Sequence, residues 1–484
     1  MSSKKHIWLI TTDQMRGDAL GYDNPAVITP NLDGLAREGM VFNRAYCASP
    51  VCTPSRASIF TGRYPHIHGA WNIGVSLNED ELTLCDHLKE SGYRRIGVGK
   101  MHFREQCKTG FTYEAEEVSV RDRGRERDGT YYGFDEHHIS EDNMIGEYLD
   151  EIGERDPDAA GRLRKDLFRS DDAAGDVWES GLPPELHQTR WISDRSIRAI
   201  EEHSPDQPLF LWSSFVDPHH PFNPPEAYSR LYEHIEIPKP AGDASDVKGR
   251  PEHLLLQKGS YWPGGGELHS WDPQHMKRLI RNYYAMITFI DEEIGRILGA
   301  WKEKGMDDEL LIVFTSDHGE LLGDHGLLYK GPWFYEGLTR IPMILKGPGV
   351  KKGAETDALM EHVDIVPTLL ELIGRAEMPE GIQGISQRPV ASGETERVRE
   401  SAMTAYDAHD RGVHAKCLRT DRYKLAIFAD EAYGELFDLE SDPDERHNRF
   451  FDPSYLEIKH KLMEMLVHRM MRDQDPLPVR KAFW

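Results

Sequence analysis

The chain carries several short apolar runs separated by longer amphipathic stretches. His6-Ile7-Trp8-Leu9-Ile10-Thr11-Thr12, Leu209-Phe210-Leu211-Trp212 and Leu310-Leu311-Ile312-Val313-Phe314-Thr315 are continuous in their apolar residues rather than alternating. That pattern predicts central strands covered on both faces, as in a parallel sheet. Residues 41–46, 94–99 and 341–345 read as further strands. Between them, residues 29–36, 82–89 and 363–370 predict helices. Residues 274–304 predict a long one, with Tyr283, Ile287, Ile290, Ile294 and Ile297 at helical spacing. Strands that alternate with helices predict an α/β fold with a central, mostly parallel sheet. A Gly- and Pro-rich linker runs to about residue 385. Short strand-like pieces at 403–406, 416–420, 423–428 and 435–439 follow, with a closing helix from about Ser454. The expected division is therefore a large domain over 1–385 and a small antiparallel α+β domain over 386–484. Residues 104–190 change composition, include the mixed-charge run Arg121-Asp122-Arg123-Gly124-Arg125-Glu126-Arg127-Asp128, and read as a surface insertion.

The polar residues at the strand ends change the picture. The first run ends in Asp13-Gln14, the run at 94–99 in Lys100-Met101-His102, the run from Leu209 in Asp217-Pro218-His219-His220-Pro221, and the run from Leu310 in Asp317-His318. Open α/β sheets bind ligands beyond the carboxyl ends of their strands. Each residue alone also fits an ordinary cap, turn or solvated position. Cys52-Thr53-Pro54-Ser55-Arg56 follows the strand at 41–46, and the segment after Pro54 reads as a helix opening. Cys52 would then lie at a helix N-terminus with Arg56 near enough to favour a thiolate. A buried structural cysteine is the alternative.

Composition narrows the partners. Among 484 residues, 58 Lys+Arg against 83 Asp+Glu give a net charge of −25. This excludes binding of nucleic acid or an anionic membrane by the surface as a whole and requires any anion site to be local. No run approaches the length of a membrane span, and the N-terminal run lacks the length and cleavage site of a signal peptide. Cys47, Cys52, Cys85, Cys107 and Cys417 are odd in number and unpaired in spacing. The expectation is reduced thiols in a cytoplasmic protein.

The stretch from Cys52 to Arg63 resembles the signature of the formylglycine-dependent sulfatases of the alkaline-phosphatase-like superfamily: Cys-x-Pro-Ser-Arg, then a small residue and Gly. Thr29-Pro30-Asn31-Leu32-Asp33, Gly99-Lys100-Met101-His102, Pro218-His219-His220-Pro221, Lys330 before Tyr335-Glu336, and Asp442-Pro443-Asp444-Glu445 are also similar to family runs. The resemblance covers nearly the whole chain outside 104–190. It implies an alkaline-phosphatase-like fold and hydrolysis of a small-molecule or sugar sulfate ester. Cys52 would be oxidised by a separate maturation enzyme to formylglycine, whose hydrate is the nucleophile. One divalent cation, Ca²⁺ or Mn²⁺, would sit on Asp13, Gln14, Asp317, His318 and residue 52. Asp317 would take the nucleophile's proton; Arg56, Lys100 and Lys330 would hold the anion. His219 would protonate the leaving oxygen, and His102 would help release sulfate. Asn72 is similar to a substrate-contacting Asn of the phosphonate hydrolases. Asp-Gln and Asp-His, in place of the frequent Asp-Asp and Asp-Asn, resemble choline sulfatases and phosphonate monoester hydrolases. A phosphonate monoester or phosphodiester hydrolase is thus the second reading, although those relatives usually carry neutral residues at Lys100 and His102. A silent binding protein with unmodified Cys52 is the third. A homo-oligomer docked through the apolar tail at 476–484 remains open.

Overall fold

The computed structural model describes residues 5–104, 130–142, 146–167, 177–251, 254, 272–375 and 377–474. The 121–128 charge run, Cys107 and the 476–484 tail lie outside them. Nine strands form one sheet: β1 (His6–Thr12), β2 (Met40–Tyr46), β3 (Arg94–Gly99), β4 (Glu136–Ile139), β5 (Leu209–Ser214), β6 (Leu310–Ser316), β7 (Arg340–Ile341), β8 (Met343–Lys346) and β9 (Ala354–Glu361). Their order is β4-β3-β5-β1-β6-β8-β2-β7, with β9 also paired to β2. The run from β4 to β6 is parallel throughout. β8 runs antiparallel to both β6 and β2. β1 and β6 are buried at every position, which explains their unbroken apolar character.

The chain turns four more strands, β10 (Ala402–Ala408), β11 (Val413–Arg419), β12 (Tyr423–Phe428) and β13 (Gly434–Asp438), into a separate antiparallel sheet, packed by the helix Leu456–Arg472. Helices cover the large sheet on both sides. Pro273–Glu303 and Gln188–Glu202 pack with Trp8, Ile10, Leu211 and Phe314 in one core. Cys52–Thr61 and Ile365–Leu372 pack with Ile7, Leu9, Phe210 and Val313 in the other.

Three expectations need correction. The run at 341–345 is two strands, because Pro342 has no N–H to donate to a ladder. β9 was not foreseen; its first half alternates polar residues as a sheet-edge strand does. The stretch 104–190 is more than a surface insertion. β4 extends the main sheet, and Tyr148, Ile152 and Leu163 enter its core.

Phe60 shows how the Cys52 helix is seated. Its ring lies 4.3 Å from Trp212 and 5.2 Å from Phe103, centroid to centroid, and is wholly buried. Phe60→Ala removes these contacts and leaves a cavity, so it should cost about 3–5 kcal/mol in denaturant unfolding. A loss below about 1 kcal/mol would show that the helix is anchored elsewhere.

Candidate active site

Four parallel strands deliver their carboxyl-end residues to one place. Asp13 and Gln14 follow β1, Lys100 and His102 follow β3, His219 and His220 follow β5, and Asp317 and His318 follow β6. Cys52 opens its helix at the same place, with Gly62 in a left-handed C-cap. The helix begins at Cys52 itself, two residues before Pro54. Strand β3 can lie this close to β5 because Gly99 has no Cβ: one built there would stand 1.9 Å from the Ser214 carbonyl oxygen. Gln14 and His102 both have left-handed backbones, at φ 68° and 52°. This conformation is uncommon without glycine and marks sites where surrounding bonds over-determine the chain. At Gln14 the N–H donates to Asp317 Oδ1 at 3.0 Å. At His102 it donates to Glu141 Oε1 at 2.9 Å.

Arg56 is the hub. Its Nε donates to Asp317 Oδ2 at 2.7 Å, its Nη1 to the Lys100 carbonyl at 2.9 Å and to Ser214 Oγ at 2.8 Å, and its Nη2 to Asp13 Oδ2 at 3.4 Å. These bonds commit it to the carboxylates and backbone rather than to a bound anion. Ser55 Oγ donates to the Asp317 carbonyl at 2.5 Å and lies 2.8 Å from His362 Nδ1, whose ring reaches the Ser316 carbonyl at 2.9 Å through Nε2.

Asp13, Cys52, Asp317 and His318 place one ligand atom each within 4.8 Å of one another, all buried. His318 Nδ1 meets the Gly319 carbonyl at 2.8 Å, and Lys330 Nζ lies 3.2 Å from Nε2. A lysine can only donate, so Nε2 is the lone-pair nitrogen and faces the cluster. Burial, then Lys330, hold the ring down to about 4, hence neutral, although Asp317 and Asp13 pull the other way. Gln14 Nε2 donates to Glu320 and to His220 Nδ1. Among the described residues its Oε1 is left buried without a hydrogen-bond partner. Two carboxylates, a neutral imidazole and an orphaned amide oxygen make a donor set that fits one divalent cation.

The cations complete the geometry. Lys330 Nζ stands 2.8 Å and Lys100 Nζ 3.8 Å from Cys52 Sγ. Lys100 also pairs with Asp13 and with both oxygens of Asp142 at 2.5 Å. Burial disfavours the charge of Asp13, but Lys100, Lys330, His219 and Arg56 together hold its carboxyl well below the usual range. The surroundings disfavour the expected thiolate. Burial, and then Asp13, push the Cys52 thiol up to about 12 against the pull of both lysines. Arg56 does not activate it, being turned to the acids. His219 Nδ1 lies 2.6 Å from the His220 carbonyl, which leaves Nε2 for exchange with a ligand. Burial, then Lys330, bring His219 down to about 4, so it rests neutral. His102 is buried and held well below its ordinary value, and its Nδ1 has no hydrogen-bond partner among the described residues.

Asn72 departs from the expectation. Its Nδ2 donates to the Asp407 carbonyl on β10 at 2.7 Å and its Oδ1 accepts from Ile73 N–H. The amide is therefore tied to the smaller sheet, and no bond joins it to the Cys52 cluster among the described residues. Asp142, Glu141, Glu320 and Ser214 are site residues the motifs did not reveal. Asp142 follows the same rule as the rest, standing just past the carboxyl end of β4, but that short polar strand carried no signal in the sequence.

Known proteins identify the family. The family model "Sulfatase" matches residues 5–375, and that of the "N-sulphoglucosamine sulphohydrolase, C-terminal" matches 323–472. The chain belongs to the sulfatase family. An arylsulfatase of Clostridium perfringens is 32% identical over 96% of this chain and 94% of its own. An N-acetylglucosamine-6-O-sulfatase of Bacteroides thetaiotaomicron is 26% identical over 97% and 87%. The crystal structure of a phosphonate monoester hydrolase of Agrobacterium radiobacter superposes with a TM-score of 0.80 at 25% identity, over 98% of this chain and 96% of that one. The large sheet and its helices thus form the sulfatase alkaline-phosphatase-like α/β fold. Among the described residues, no helix of this sulfatase is long and apolar enough to cross a membrane.

The state of the thiol gives a test. In protein made without a maturation enzyme, folded Cys52 should resist iodoacetamide at pH 8, because burial disfavours the reactive thiolate and the residue is only 1% exposed. Labelling should become stoichiometric on unfolding. Fast labelling of the native chain would contradict the assigned protonation.

Proposed function

We propose that this sulfatase hydrolyses a small-molecule or sugar sulfate monoester, with formylglycine made from Cys52 by a separate maturation enzyme. One observation carries the choice of ester. Lys100 and His102 stand together at the end of β3, with the Lys100 ammonium beside both Asp13 and Cys52. A sulfate monoester needs cations on its nonbridging oxygens and acid–base groups near the nucleophile, and both side chains supply these. The similarity to an arylsulfatase and to an N-acetylglucosamine-6-O-sulfatase supports the same reading.

Asp13, Gln14, Asp317 and His318 would hold the divalent cation, Ca²⁺ or Mn²⁺, beside residue 52. When bound, that ion supplies Lewis-acid stabilisation of developing negative charge, and the aldehyde hydrate supplies the attacking oxygen. Carboxylates favour Ca²⁺, while the imidazole of His318 brings Mn²⁺ into range. The protein's own groups do the rest. Asp317, fixed by Arg56 and by the N–H groups of Gln14 and His318, would accept a proton from residue 52. Lys100 and Lys330 draw the ester anion in and hold its oxygens. His219, anchored through Nδ1, gives a proton from Nε2 to the departing oxygen; an arriving anion raises the affinity of that nitrogen for the proton. His102 takes a proton near residue 52 in the second half of the cycle. A phosphonate monoester is the second reading, favoured by the superposition on a phosphonate monoester hydrolase.

Parallel kinetics separate the two. The converted enzyme should show higher kcat/KM for 4-nitrophenyl sulfate than for 4-nitrophenyl phenylphosphonate, and the reverse order would favour the second reading. His219→Ala should slow alkyl sulfates by about 10²–10⁴-fold and the activated aryl ester far less. Equal losses for both would remove His219 from the role of acid.

A further inference from the structure

Asp142 is unexplained by the hydrolytic scheme. It lies in the stretch that composition marked as an insertion, yet its carboxylate grips Lys100 with both oxygens at 2.5 Å. Its loop is built, not incidental. Strand β4 pairs in parallel with β3 from Ile96↔Glu136 to Gly99↔Ile139, so the two strands end together. Ser140 N–H donates to the Gly99 carbonyl at 3.1 Å. Glu141 Oε1 accepts from the N–H groups of Met101 and His102. Gln188 Nε2 ties Ser140 Oγ and the Glu141 carbonyl. The acid is thus delivered to the cation that the ester would use, and it lies within the electrostatic reach of His219 and His102.

The charges around residue 52 can be counted. Arg56, Lys100 and Lys330 are the cations; Asp13 and Asp317 are the acids that hold the metal and Arg56. Among the groups paired directly with these cations, Asp142 brings a third carboxylate to three cations; Glu141 is spent on the N–H groups of Met101 and His102, and Glu320, pushed up to about 7 by burial, on Gln14. Sulfate monoesters, phosphonate monoesters and phosphodiesters carry one negative charge. A phosphate monoester carries two above its second pKa of about 6. Repulsion from a fixed carboxylate grows in proportion to ligand charge. We propose that Asp142 is a specificity-determining residue: its carboxylate, clamped on Lys100 at the end of β4, makes the site select singly charged esters and reject phosphate monoesters. This rests on the sulfatase reading for the identity of the reaction, but the charge filter can be measured without turnover.

The test uses Cys52→Ala protein, which cannot turn over, saturated with Ca²⁺ at pH 8. Phenyl sulfate and phenyl phosphate, alike in shape and different in charge, are titrated by calorimetry. Phenyl sulfate should bind more tightly. Adding Asp142→Asn should tighten phenyl phosphate by about tenfold more than phenyl sulfate. Asp142→Ala repeats the measurement should the asparagine variant fold poorly. Equal changes for both ligands, no preference in the Asp142-containing protein, or binding of neither ligand would overturn the proposal. In the converted enzyme, the same substitution should raise phosphate monoester turnover relative to both the sulfate and the phenylphosphonate. A filter present in binding but accompanied by no sulfate turnover would count against the sulfatase reading and not against the role of Asp142.

Discussion

A single buried guanidinium determines how this site is put together. Arg56 bonds the acid after β1, the acid after β6, the carbonyl of Lys100 after β3 and the hydroxyl of Ser214 at the end of β5. Four strands far apart in sequence are thereby held in one register at their carboxyl ends. Asp13 and Asp317 have no solvent exposure, so each depends on cations for its charge. Removing one member of such a buried network strands the others, at a cost of several kcal/mol. The same residue, about one turn along the helix from Cys52, ties that helix to the strand ends.

The second constraint is charge balance. The site crowds three cations and five carboxyl groups, Asp13, Asp317, Asp142, Glu141 and Glu320, into a small space, and protonation states follow from that crowding. Burial and Lys330 leave His318 neutral, with Nε2 turned inward. Glu320, pushed up to about 7 by burial, accepts from Gln14 and so fixes which end of that amide is left for a ligand. The thiol of Cys52 stays protonated for the same reason, although it lies at a helix start beside two lysines. A buried thiol held in this way supplies little thiolate, which is consistent with the proposed conversion of Cys52.

The large sheet was legible because its central strands are covered on both faces and therefore read as unbroken apolar runs. Edge strands gave no such signal. β4 is Glu-His-His-Ile, and the first half of β9 is mostly polar. Ile341 to Leu345 looked continuous because hydrophobicity does not register the missing N–H of Pro342. In the site, Cys52, Asp13, Asp317, His318, Lys100 and Lys330 were found through motifs, and the fold brings them together. Spacing along the chain could not show that Arg56 spends its donors on acids, that Asn72 turns to β10, or that Asp142 reaches Lys100. Those facts arise from contacts between segments tens to hundreds of residues apart.

The claim on which the account depends is that residue 52 works as an aldehyde and not as a thiol. The direct measurement is mass spectrometry of the peptide containing Cys52, from protein made in its native host, with sulfate ester turnover recorded on the same preparation. The account predicts a fraction of that peptide carrying the thiol-to-aldehyde mass change, with turnover rising in proportion to it across preparations. Full turnover from protein in which every Cys52 is an unmodified thiol would contradict it.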